Sequence, residues 1–233
     1  MNDHIEQIKD ALMETYSVHA NDGILAIYLW GSILSPDYSL GSSDIDTIAI
    51  VSDDTPISLE KNIQNELSGK IPGVDKFGFR FLYESELNGG TIKGNLASYI
   101  DIKLLLLDFP NWMHVAGTDF KRTDFALPPL TEDEAIGLHL AKAKKLGWTD
   151  TASISERDVM YFLKNLSQTI YMKERLKGMT GPFSYSRLEA FASGTEKELI
   201  RAINASKKAG WDYETFLNDR LMYQRYLDDI MSK

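Results

Sequence analysis

The sequence predicts an α/β (α+β) fold, with a mixed sheet flanked by helices over residues 1–127 and an all-helical domain over 128–233. Three observations predict it. Short apolar runs bounded by turn residues alternate with amphipathic stretches as far as Pro110. Pro128-Pro129 then punctuates the chain, and beyond it no strand-like alternation competes with helical spacing. The length of 233 residues, 43% of them hydrophobic, allows one large domain or two modest ones, each able to bury its own core.

Ile5, Ile8, Leu12 and Tyr16 recur at spacings of three and four, which places them on one face of a first helix. Asn21-Asp22-Gly23 ends that helix, and Ile24 to Trp30 reads as a buried strand. The polar stretch from Ser35 to Ser43 is a turn or loop before a second strand at Ile45 to Val51. Thr55-Pro56 starts a helix, with Thr as N-cap and Pro at its first position, and Ile63 and Leu67 face inward up to Gly69. Phe77 to Tyr83 alternates as a strand, Asn88-Gly89-Gly90 is a loop, and Tyr99 to Leu107 is the longest strand candidate. Thr131-Glu132-Asp133-Glu134 reads as a cap and acidic first turn. Helices are expected near 131–146, 155–177, 184–192, 195–209 and 212–231, separated by glycines.

Composition removes several classes of function. With 25 Lys+Arg against 34 Asp+Glu, the chain carries a net charge of −9, so nucleic acid is an unlikely partner. Lys142, Lys144 and Lys145 form the nearest basic cluster and read as a solvated helix face. No cysteine is present, which excludes disulfides, thiolate zinc sites and thiol nucleophiles. The longest apolar run, Leu104 to Leu107, falls far short of the ~20 residues of a membrane span, so no membrane is expected and the cytoplasm is the expected location.

One constellation carries chemistry. Trp30-Gly31-Ser32 is followed, after a polar turn, by Asp44-Ile45-Asp46 running directly into a strand. Aspartates at i and i+2 on an extended chain point to the same side, and two close carboxylates call for a cation between them. Mg²⁺ accepts a few carboxylates together with substrate phosphate oxygens. A glycine after a strand lets a phosphate approach the backbone, and the neighbouring serine hydroxyl can donate to it. Asp101, in the apolar stretch Tyr99-Ile100-Asp101-Ile102, offers a third carboxylate, with a pairing to Lys103 as its structural alternative. Glu84 and Glu86 compete with it as third ligand but flank a loop, where solvation is the simpler reading. His4, His19, His114 and His139 show no metal-binding spacing. Trp112, Trp148 and Trp211 read as packing anchors, with stacking on a substrate ring as the other reading.

Gly31-Ser32, then Ser43-Asp44-Ile45-Asp46, then an aspartate flanked by apolar residues at Asp101, resembles the DNA polymerase β-type nucleotidyltransferase superfamily. Within it, an α/β first domain with a helical second one is similar to the bacterial aminoglycoside adenylyltransferases of the streptomycin/spectinomycin type. The second-domain likeness rests on Tyr171, Thr180-Gly181, Ser186-Arg187 and Tyr226, with Arg187 standing where such enzymes carry a lysine that meets the triphosphate. The resemblance implies a nucleotidyltransferase domain at 1–127 and ATP as co-substrate. Two Mg²⁺ ions would be held by Asp44, Asp46 and Asp101, with Asp101 also the general base. Gly31, Ser32, Ser43, Arg187 and Tyr226 would contact the nucleotide. The expected reaction moves AMP to a hydroxyl of a small, hydroxylated, cationic molecule, an aminoglycoside among the candidates. Nucleotidylation of a protein or RNA end is a second reading, and a catalytically idle nucleotide-binding module a third.

Overall fold

The computed structural model describes residues 2–38, 44–71, 74, 77–145, 155–211 and 213–231. The chain divides into two compact units, Met1–Leu130 and Thr131–Lys233.

The first unit opens with helix α1 (Asn2–His19), whose Ile8 and Leu12 are fully buried as the three-four spacing requires. Gly23, at φ 101°, takes the left-handed conformation that turns the chain into strand β1 (Ile24–Trp30). Strand β2 (Ile45–Val51), helix α2 (Ile57–Lys70) and strand β3 (Phe77–Tyr83) follow as the sequence predicts, with the α2 cap at Pro56 rather than Thr55. A short helix α3 (Glu84–Leu87) leads into the Asn88–Gly90 loop.

The strand expected from Tyr99 to Leu107 does not form. Those residues build helix α4 (Ile102–Asp108), and Asp101 is its N-cap, accepting a hydrogen bond from the Lys103 backbone N–H at 2.8 Å. Four successive leucines favour a helix over a strand, and an aspartate just before them satisfies one of the unpaired N–H groups of its first turn. Strand β4 (Met113–Gly117) then completes the sheet, an element the sequence reading did not anticipate.

The sheet order is β3-β2-β1-β4, with β2 and β3 parallel and the other neighbours antiparallel. One face packs Ile27, Leu29, Phe79 and Phe81 against α1 and α2. The other packs Ala26, Tyr28, Ile48, Ile50 and Leu82 under α4, with Ile102, Leu105 and Leu106 pressed onto them. Each fully buried Ile, Leu or Phe among them stabilises the unit by about 1.5–3 kcal/mol. Two buried glutamates complete the framework. Glu60 accepts the Phe81 N–H at 2.8 Å on the outer side of edge strand β3. Glu86, 2% exposed, accepts the N–H groups of Tyr83, Lys93 and Gly94 at 2.8–2.9 Å, so it is a buried loop clamp and not a solvated acid.

The second unit is helical in its described residues: α5 (Glu132–Lys145), α6 (Glu156–Leu176), α7 (Tyr185–Phe191), α8 (Gly194–Lys208) and α9 (Tyr213–Met231). Ser155 and Asp158 close a capping box at the start of α6. Leu163, Leu166, Ile170, Leu199, Ile203 and Tyr223 are fully buried. Among the described residues no helix is long and apolar enough to cross a membrane.

Candidate active site

Strand β2 is central, so its beginning is hemmed in by the end of β1 and the beginning of β3. Asp46 stands in register with Trp30 on β1 and with Gly78 on β3. By strand alternation it shares the face of Ile48 and Ile50, the face that α4 covers.

Two glycines make room for its carboxylate. Gly31, at φ 75°, opens a four-residue 3-10 turn (Gly31–Leu34), and a Cβ there would lie 3.0 Å from Asp46 Oδ2. A Cβ on Gly78 would lie 3.2 Å from Asp46 Oδ1. Each carboxylate oxygen thus rests against a backbone that carries no side chain. Any larger residue at either position would push the carboxylate aside, and at Gly31 the left-handed backbone adds a further penalty. Gly78 escaped the sequence reading, although a glycine within an otherwise aromatic strand marks a close approach of this kind.

Asp44, two residues earlier, is exposed at the mouth of β2, and the Ser32 hydroxyl donates to its backbone carbonyl at 3.3 Å. This bond ties the 3-10 turn to the start of β2, and Gly31 lies against the Asp46 carboxylate in the same corner of the sheet. Ser43 lies outside the described residues, as does Trp148.

Several of the remaining candidates have other partners in the structure. Asp101 is exposed and caps α4; its tie to Lys103 runs through the backbone N–H rather than the ammonium. Glu84 follows the far end of β3, because Tyr83 pairs with Val51 while Gly78 pairs with Asp46. Five steps at ~3.3 Å put that end about 17 Å along the strand, beyond the reach of an ion held at Asp46. Glu86 leaves the same end and is bound by its three N–H donors. Among the described residues no cluster of three or more His, Asp or Glu side chains is positioned to hold a metal ion.

In the helical unit, Arg187 folds over Gly181 and donates to the carbonyls of Thr180 and, at 3.2 Å, Pro182, while the Tyr171 hydroxyl donates to the Gly181 carbonyl at 2.7 Å. Its guanidinium therefore holds the 180–182 turn. Tyr226 is 6% exposed; its hydroxyl donates to Glu196 at 2.8 Å and accepts from Lys173 at 3.2 Å. Burial, with Glu196 beside it, raises the phenol well above its ordinary range.

No protein-family model and no curated protein sequence matches this chain. Among solved structures it is similar to the spectinomycin adenyltransferase AAD(9) from Enterococcus faecialis, determined with ATP and spectinomycin. The TM-score is 0.57 at 13% sequence identity, over 96% of this chain and 99% of that chain. The similarity is one of fold, which in this chain is a mixed four-stranded sheet with flanking helices followed by further helices.

Proposed function

We propose that this chain is a magnesium-dependent nucleotidyltransferase that moves AMP from ATP to a hydroxyl group of a small molecule. The observation that carries the reading is the seat of Asp46, a carboxylate set against Gly31 and Gly78 with Asp44 two residues before it. A pair of acids beside a glycine-serine turn fits a divalent cation whose other ligands are phosphate oxygens. The AAD(9) structure, determined with ATP and spectinomycin, supports a nucleotide and a small acceptor as the substrate classes.

Magnesium bound there would neutralise phosphate charge as it develops. Asp44 and Asp46 would hold it, the Ser32 hydroxyl would donate to a phosphate oxygen, and Gly31 would let the phosphate chain approach the backbone. The acceptor oxygen attacks the α-phosphorus and the bond to the β-phosphate breaks. Pyrophosphate leaves, and the proton of the acceptor hydroxyl passes to solvent. Holding the two reactants in line does most of the work. Asp101, engaged as a helix cap, has no part in this reading. The net charge of −9 favours a cationic acceptor, which an acidic surface draws in.

Pyrophosphate release from ATP and Mg²⁺, measured across a panel of aminoglycosides, tests the proposal. Release with one acceptor, lowered at least ~100-fold in Asp46→Asn, is the expected result, the scale of losing a group that stabilises transition-state charge. Release unaffected by Asp46→Asn would contradict it.

A further inference from the structure

Trp30 is the last residue of β1, in register with Asp46 and immediately before Gly31. It is half-buried and belongs to the edge of the core on the α4 side of the sheet. Behind it runs a line of rings. Its indole meets that of Trp112 with centroids 6.4 Å apart, tilted by 49°. Trp112, 9% exposed, packs against Phe109 at 5.0 Å and Tyr28 at 5.9 Å. The line begins in the core and ends at Trp30, whose strand position is in register with that of Asp46. A large aromatic surface beside a phosphate-directed carboxylate suits a flat group attached to those phosphates.

We infer that Trp30 is a nucleoside-binding residue, its ring forming one wall against the base or ribose of the nucleotide whose phosphates lie over Gly31 and Asp46. This rests on the nucleotide reading above and adds to it the part of the molecule that no carboxylate contacts. Trp112 holds the Trp30 ring from behind, which lowers the cost of ordering it on binding.

Equilibrium binding of Mg-ATP and of Mg-tripolyphosphate separates a stacking role from a packing one. Trp30→Leu is expected to weaken Mg-ATP roughly five-fold or more, the low end of base–aromatic stacking, and to leave Mg-tripolyphosphate within two-fold of wild type. Trp30→Tyr, which keeps a ring, is expected to recover most of the ATP affinity. Equal losses for the two ligands, or unchanged ATP binding, would overturn the inference while leaving the phosphate site in place. A wild-type chain that binds neither ligand would overturn the nucleotide reading itself. A second readout does not depend on the leucine variant folding. ATP, and not tripolyphosphate, should change the tryptophan emission of the wild type, and that change should be absent in Trp30→Tyr; its persistence there would assign the signal to another indole and remove the inference.

Discussion

Single side chains set what this site can do. Asp46 stands out in the sequence as a candidate because two acids at i and i+2 after a glycine-serine pair call for a cation between them. Its seat was not legible, since nothing in a sequence places Gly78 across a parallel pair from Asp46. Asp101 shows the opposite case. An acid among apolar residues suggested a costly buried charge with a purpose, yet the same residue type is a preferred N-cap, and the structure uses it so. The substitutions Asp101→Asn and Asp101→Ala distinguish capping from catalysis. Asparagine caps as well as aspartate does, so Asp101→Asn should keep both stability and pyrophosphate release close to wild type. Asp101→Ala should lose about 1 kcal/mol in urea unfolding. A hundred-fold loss of release in a stably folded Asp101→Asn would return this residue to the active site.

The elements divide along the same line. Strands β1, β2 and β3 were recognisable from their bounds, because each is a run of seven residues closed by glycine, proline or acidic turn residues. Helix α4 was not, because five of its seven residues are buried and leave no polar stripe, and periodicity cannot separate such a segment from a buried strand. Strand β4 escaped for a different reason: it is an edge strand of five residues, none fully buried, and so lacks the apolar run that marks the others. The loop after β3 depends on Glu86, whose carboxylate accepts three backbone N–H groups. Glu86→Gln would turn an amide N–H toward one of those donors. It should therefore destabilise the first unit by about 2 kcal/mol in urea unfolding, with Mg-ATP affinity unchanged because this loop leaves the sheet at the end away from Asp46. Unaltered unfolding would show that solvent, and not Glu86, satisfies those N–H groups.

At the scale of the whole molecule, a partly buried charge cluster joins three helices of the helical unit. Lys177, just past the end of α6, donates to Glu174 at 2.7 Å and to Glu196 on α8 at 3.2 Å, and Lys173 and Tyr226 also donate to Glu196. Burial, and then the hydrogen bond shared with Glu196, raises the Glu174 carboxyl above its usual 4.5. Burial alone would raise Glu196 as well, but hydrogen bonds from Glu174, Lys173 and Tyr226 hold it down to about 2. The signs differ accordingly. The Glu196 contribution is present above pH 4.5 and fades as the pH falls toward 2. The Glu174 contribution is complete below pH 4.5 and declines as the pH rises through its elevated value. Glu174→Gln keeps a donor toward Glu196 without a titrating proton, so urea unfolding should show it gaining on wild type as the pH rises above 4.5. An equal pH dependence in the two chains would contradict a shared proton. The account as a whole depends on Asp44 and Asp46 holding magnesium against the phosphates of ATP, and calorimetric titration of ATP with and without Mg²⁺ measures this directly. Wild type should bind ATP with magnesium and lose most of that affinity in EDTA, and Asp46→Asn should bind equally weakly in both conditions. Asp46→Asn binding ATP with the wild-type magnesium dependence would contradict the account.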